Sequence, residues 1–196
     1  MADQSRYVID ANAMPARFPT QIHSAEFWEN LGRVVGTFGF LEEVLGKAIF
    51  AFTATKPYSE EEVLEAYKLW LPKLEHALYD QLGSLIHSYG KAVREHPDST
   101  IENLDELVGN LKAASILRNV ICHGSWRYPN AVGASVPFFV NRKMERFDMP
   151  IDSQYLIKLQ RHVSELICAV INTVTHMGWQ FPGSRSPGEV IWESKR

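Results

Sequence analysis

In the stretch ASILRNVICHGSW, residues 114–126, an arginine, an asparagine and a histidine crowd together, and a glycine follows the histidine directly. Asn119 and His123 are four apart, so on a helix they stack one turn above the other. Arg118 sits beside them, with a side chain long enough to fold over the same spot. A guanidinium, an amide and an imidazole that converge on one point suit a phosphate diester. The planar guanidinium fork matches two phosphate oxygens, and an imidazole exchanges protons readily near neutral pH. RNA adds a built-in nucleophile, the 2′-hydroxyl beside the phosphate. His123 would take that proton as general base, Arg118 would stabilise charge on a phosphorane-like transition state, and Asn119 would hold the histidine or a phosphate oxygen. This chemistry needs no metal and no cofactor. His76, His87, His162 and His176 fall at no ligand-like spacing. The structural alternative is a helix C-terminus whose polar residues satisfy the last carbonyls.

The helix carrying these residues is expected from Ile101 to His123, capped by Ser99 or Thr100 and closed by Gly124. At about 100° per residue, Ile101, Leu104, Leu107, Val108 and Leu111 form one apolar stripe. In the second half, Ile116, Leu117, Val120 and Ile121 cluster on the formerly polar side. Ser115, Arg118, Asn119, Cys122 and His123 then share an arc of roughly 140°. Such a helix packs in its own core early and meets a second surface late. A symmetric second copy would provide that surface, and its histidine would act as general acid for the leaving 5′-oxygen.

The remaining elements follow from apolar spacing. Ser24 caps a first helix with apolar residues from Phe27 to Phe52, closed by Lys56-Pro57. Gly32, Gly36 and Gly39 on it would let another helix come close. Ser59 and Glu62 form a capping box that opens a second helix. A third runs from Lys73 to about Glu95, and a last one starts at a Ser153 cap and stops at Gly178. Between the motif and that last helix, VPFFV and MERFDM flank NRK and read as a β-hairpin. The expected fold is all-α: an antiparallel helical bundle of four to five helices with a small β-hairpin insert before the last helix. Its parts are an extended N-terminal arm (1–23), the helical domain (24–178, with the insert at 125–152) and a C-terminal tail (179–196). In that tail Val190, Ile191 and Trp192 suggest docking.

The chain has 196 residues, 45% of them hydrophobic, enough for one domain with a real core. Its formal net charge of −3 excludes a broadly basic nucleic-acid coat, so any RNA contact must be local. Arg127, Arg142, Lys143 and Arg146 offer such a patch, or else a solvated hairpin tip. Trp126 and Tyr128 would stack a base or pack beneath the hairpin. Glu42 and Glu43 are candidates to pair with Arg118 and orient it, although a solvated face accounts for at least one. Cys122 and Cys168 have apolar neighbours and read as buried free thiols. No signal peptide and no membrane-spanning run is visible, which fits a reducing, cytoplasmic setting without membrane contact.

RNVICHG resembles the Arg-polar-x-x-x-His signature of HEPN domains, the higher eukaryotes and prokaryotes nucleotide-binding family. The agreement includes asparagine at the polar position and glycine after the histidine. The surrounding plan is similar too: an early helix containing FGFLEEVLGKAI, a long middle helix, the motif at the end of a later helix, and a final helix. The resemblance spans residues 24–178, with only the motif specific. It implies a metal-independent endoribonuclease that works as a homodimer with the motif at the two-fold, or a non-catalytic module binding RNA, a nucleotide or a protein partner. Many members are toxins with an antitoxin protein partner, or effectors of phage defence. By position, Arg118, Asn119 and His123 are the site. Ser125 stands where some family toxins carry a tyrosine, so control through modification of that tyrosine is not implied.

Overall fold

The computed structural model describes residues 10–57, 59, 62, 65, 68 and 81–185. Among them are four α-helices: α1 (Ala25–Ala54), α2 (Leu82–Arg94), α3 (Leu104–His123) and α4 (Ser153–His176). They form an all-α bundle. The long α1 packs chiefly on α4 and then on α2, while α3 leans on α2.

Each helix end has a local cause. Ser24 caps α1, its Oγ accepting from the Phe27 N–H, and α1 then buries Phe27, Val34, Phe38, Leu41, Leu45 and Phe52 along one face. Of the expected second helix only isolated positions are described. There Ser59 donates its N–H and its hydroxyl to the Glu62 carboxylate, at 3.0 and 2.9 Å. These bonds hold the Glu62 carboxyl below the ordinary carboxylate value. The expected third helix is described from Leu82 onward, as α2.

The start of α3 differs from expectation. It begins at Leu104, and neither Ser99 nor Thr100 caps it. Residues before it belong to a turn built on the buried His96. His96 Nδ1 accepts from the Asp98 N–H, and the His96 carbonyl accepts from the Ser99 N–H. Thr55 Oγ1 already donates to the Ala51 carbonyl, so its contact with His96 Nε2 at 3.3 Å is one in which the ring nitrogen donates. Ser153 is likewise not the cap of α4. Asp152 Oδ1 accepts from the Tyr155 N–H at 2.7 Å, and Ser153 is the first helical residue. At the other end Gly178 takes φ +78°, which only glycine adopts freely, and the helix stops there.

The β-hairpin insert is not formed. Residues 125–152 hold three isolated antiparallel bridges, Ser125 with Phe138, Ser135 with Ile151 and Val140 with Arg146, and no strand. Pro129, Pro137 and Pro150 remove backbone donors a ladder would need. The NRK turn exists, but as an asparagine-centred loop. Asn141 Oδ1 accepts from the N–H of Lys143 and of Glu145, and Met144 takes φ +63°. The segment is anchored all the same: Ile151 is fully buried, while Trp126, Phe139 and Phe147 pack against the core.

The N-terminal arm is not extended where it is described. It forms two 3₁₀ turns, Ala11–Ala13 and Thr20–Ile22. The Trp28 indole ties it to α1 by donating to the Thr20 carbonyl at 2.6 Å. The expected docking of Val190, Ile191 and Trp192 lies outside the described residues, as does His76. Both cysteines are exposed, contrary to the expected buried thiols. Apolar sequence neighbours occupy other faces of a helix, so they do not place a cysteine in the core. Among the described residues no helix is long and apolar enough to cross a membrane.

One polar contact lies deep in the bundle. Thr173 Oγ1 donates to the Val170 carbonyl, so in its 2.9 Å contact with Tyr89 the phenol is the donor. Burial pushes the Tyr89 hydroxyl up to about 12, partly offset by that bond. An unfolded tyrosine ionises near 10. Between these values the unfolded chain has lost the proton and the folded one keeps it, so stability must fall as pH rises from about 10 to 12. Tyr89→Phe is expected to flatten that alkaline loss in urea titrations. At pH 7 it should cost about 0.5–1.5 kcal/mol for the missing hydrogen bond.

Candidate functional site

The site is assembled at the C-terminal end of α3. The helix buries Leu104, Val108, Leu111 and Ala114 in sequence, then turns Val120 and Ile121 inward. The expected late apolar cluster forms only in part: Leu117 is half-buried and Ile116 is 61% exposed. The polar arc stands where the early stripe would continue. Asn119, Cys122 and His123 are exposed there, and Ser115 and Arg118 are half-buried.

Arg118 is held from α1. Its Nη2 lies 3.3 Å from Glu42 Oε1, with the two side chains 27% and 29% exposed. Glu43 turns away to Lys47 at 2.6 Å. One of the two candidate carboxylates therefore orients the arginine and the other belongs to a solvated face. Because the pair is partly withdrawn from water, it should couple more strongly than the exposed i,i+4 pairs of this chain. A double-mutant cycle with Glu42→Gln and Arg118→Gln is expected to give about 0.5–1 kcal/mol of coupling, weakened by salt. Among the described residues no hydrogen bond or ion pair engages the side chain of Asn119 or His123.

Gly124 ends α3, its N–H donating to the Val120 carbonyl at 2.8 Å. An added Cβ would lie 2.5 Å from the Val120 oxygen and 2.9 Å from Pro137 Cβ. The glycine is needed for this close approach, since its φ of −69° suits any residue. Immediately after it, Ser125 and Phe138 exchange both backbone hydrogen bonds, at 2.9 and 2.8 Å. The insert is thereby seated against the end of the motif helix.

The four basic residues of the insert divide into two groups. The guanidiniums of Arg127 and Arg146 both lie over the ring of Phe138, with Cζ at 5.3 and 5.4 Å from its centroid. Arg142 and Lys143 are exposed in the 141–145 turn. Trp126 packs edge-on against Phe27 at 4.9 Å and serves the core, whereas Tyr128 is 79% exposed.

Two residues passed over in the sequence contribute here. His23 stacks on Phe27 with ring centroids 4.0 Å apart, and its Nε2 bonds the Arg127 carbonyl at 2.9 Å. Burial lowers the His23 pKa below the ordinary histidine value, and that carbonyl opposes the shift. Phe138 is the other. Two adjacent phenylalanines on an extended segment face opposite ways, so one of Phe138 and Phe139 had to point outward. Which basic residues would meet it was not readable from spacing. A cavity of about 300 Å³, lined by His23, Phe27, Pro129, Val132 and Asp152 among others, contains none of the motif residues. Among the described residues no three His, Cys, Asp or Glu side chains group as metal ligands.

Comparison with protein-family models, with curated proteins and with solved structures found no match to this chain.

Proposed function

We propose that this protein is a metal-independent endoribonuclease of the HEPN type that cleaves RNA by attack of the 2′-hydroxyl. One observation carries the reading. Arg118 is braced by Glu42 while Asn119 and His123, on the same helix end, remain exposed with no described partner. A purely structural helix end would spend these groups on its own carbonyls.

In this reading Arg118 and Asn119 grip the scissile phosphate, and His123 removes the 2′-hydroxyl proton. The 2′-oxygen bonds to phosphorus as the bond to the 5′-oxygen breaks. The products are a 2′,3′-cyclic phosphate and a free 5′-hydroxyl. A second copy of the chain, docked with its motif at a two-fold, supplies the protonated His123 for the leaving oxygen. A biological role as a toxin restrained by an antitoxin protein, or as a phage-defence effector, extends the same proposal. The test is incubation of a mixed pool of end-labelled RNA in excess EDTA. Cleavage that leaves cyclic phosphate ends is expected, and intact RNA at micromolar protein would reject the catalytic reading. A second reading, RNA binding without turnover, is favoured by the basic residues of the insert, whose charges do not depend on His123.

A further inference from the structure

Elsewhere on the described chain, cations are mostly matched. Arg33, Lys47, Lys56, Lys91, Arg94, Arg118 and Arg161 each lie beside a carboxylate. The insert departs from this. Among the described residues Arg127, Arg142, Lys143 and Arg146 have no carboxylate partner. Nearby acids are otherwise occupied: Glu145 accepts from the Asn141 amide at 2.7 Å, and Asp152 caps α4. In a chain of net charge −3 this is a local positive field on the segment that follows the motif.

Within it, two charges are held close together. Sharing the Phe138 ring keeps the Cζ atoms of Arg127 and Arg146 within about 11 Å of each other. Phe138 is 43% exposed, so the pair stands at the surface. An exposed ring contact contributes only about 0.5–1 kcal/mol, and the like charges repel. An anion set between or beside the two forks would relieve that repulsion and accept bidentate hydrogen bonds. Phe138 is bonded through its backbone to Ser125, two residues beyond His123. The clamp therefore sits within a few residues' reach of the motif.

We infer that Arg127 and Arg146, spaced by Phe138, form a clamp for a phosphate of single-stranded RNA flanking the one at Arg118. This rests on the ribonuclease reading for its substrate, and it deepens that reading by dividing the basic patch. Arg127 and Arg146 bind the backbone, Phe138 is a positioning residue, and Arg142 and Lys143 add only diffuse attraction. Because the contact is to phosphate, it holds RNA without base preference.

The test measures binding of a fluorescein-labelled oligouridylate across a salt series, in a His123→Ala background so that no cleavage intervenes. Adding Arg127→Gln and Arg146→Gln is expected to weaken binding at least tenfold. It should also shallow the log–log salt slope by about 1.4, for two phosphate contacts at roughly 0.7 each on a single strand. Arg142→Gln with Lys143→Gln should weaken binding less than threefold. Phe138→Leu should weaken it several-fold and Phe138→Tyr should restore it, a pattern that loss of packing alone would not give. Unchanged affinity and slope in the Arg127/Arg146 variant overturn the clamp while leaving the nuclease reading to its own cleavage assay. Absence of RNA binding by the background protein, or clamp-dependent binding of polyglutamate in preference to RNA, also overturns it.

Discussion

Replacing His123 with alanine is expected to lower RNA cleavage in EDTA by about 10²–10⁴-fold, the usual worth of a positioned proton acceptor. Stability should stay within about 0.5 kcal/mol of wild type, because the imidazole is exposed and has no described partner whose loss would be felt. That split marks a reacting group rather than a structural one. Arg118→Ala makes the contrast. It too should abolish cleavage, but it also strands the half-buried Glu42, so its activity loss comes with a measurable loss of stability. Cleavage rates and urea midpoints on the same preparations separate the two. Cleavage by His123→Ala at the wild-type rate would remove His123 from the chemistry.

The bundle was legible because helical periodicity is a local property. The caps at Ser24 and the stop at Gly178, with the apolar stripe from Phe27 to Phe52, each depend on residues within a turn or two. Errors arose where a distant partner decided the outcome. The start of α3 moved to Leu104 because His96 organises the preceding turn around Thr55 of the α1 end. The hairpin reading weighed the β-prone runs VPFFV and MERFDM above the prolines that interrupt pairing. At the site, the adjacency of Arg118, Asn119 and His123 was visible as helix spacing. The choice of Glu42 over Glu43 was not, since it turns on how α1 is rotated against α3. The Phe138 contacts were further out of reach, for they need the seating of the insert on the helix end.

That seating makes Gly124→Ala the other large expected effect. The added methyl group would press on the Val120 oxygen and on Pro137 at distances real Cβ atoms do not tolerate. The oxygen cannot retreat without losing the hydrogen bond it accepts from the Gly124 N–H, which closes α3. Pro137 must move instead, and with it the Ser125–Phe138 bridge. A cost of about 1–3 kcal/mol is expected, the range for overpacking a fitted contact, together with loss of RNA cleavage as the helix end shifts. Gly109→Ala supplies the opposite sign on the same helix. Gly109 is exposed, and an added Cβ meets nothing within 4 Å. Alanine there should stabilise the protein by about 0.5–1 kcal/mol through helix propensity alone. Urea midpoints of the two variants should therefore move apart. A Gly124→Ala protein as stable as wild type would mean that the insert does not rest on the end of the motif helix. The placement of Phe138, Arg127 and Arg146 beside His123 would then fall with it.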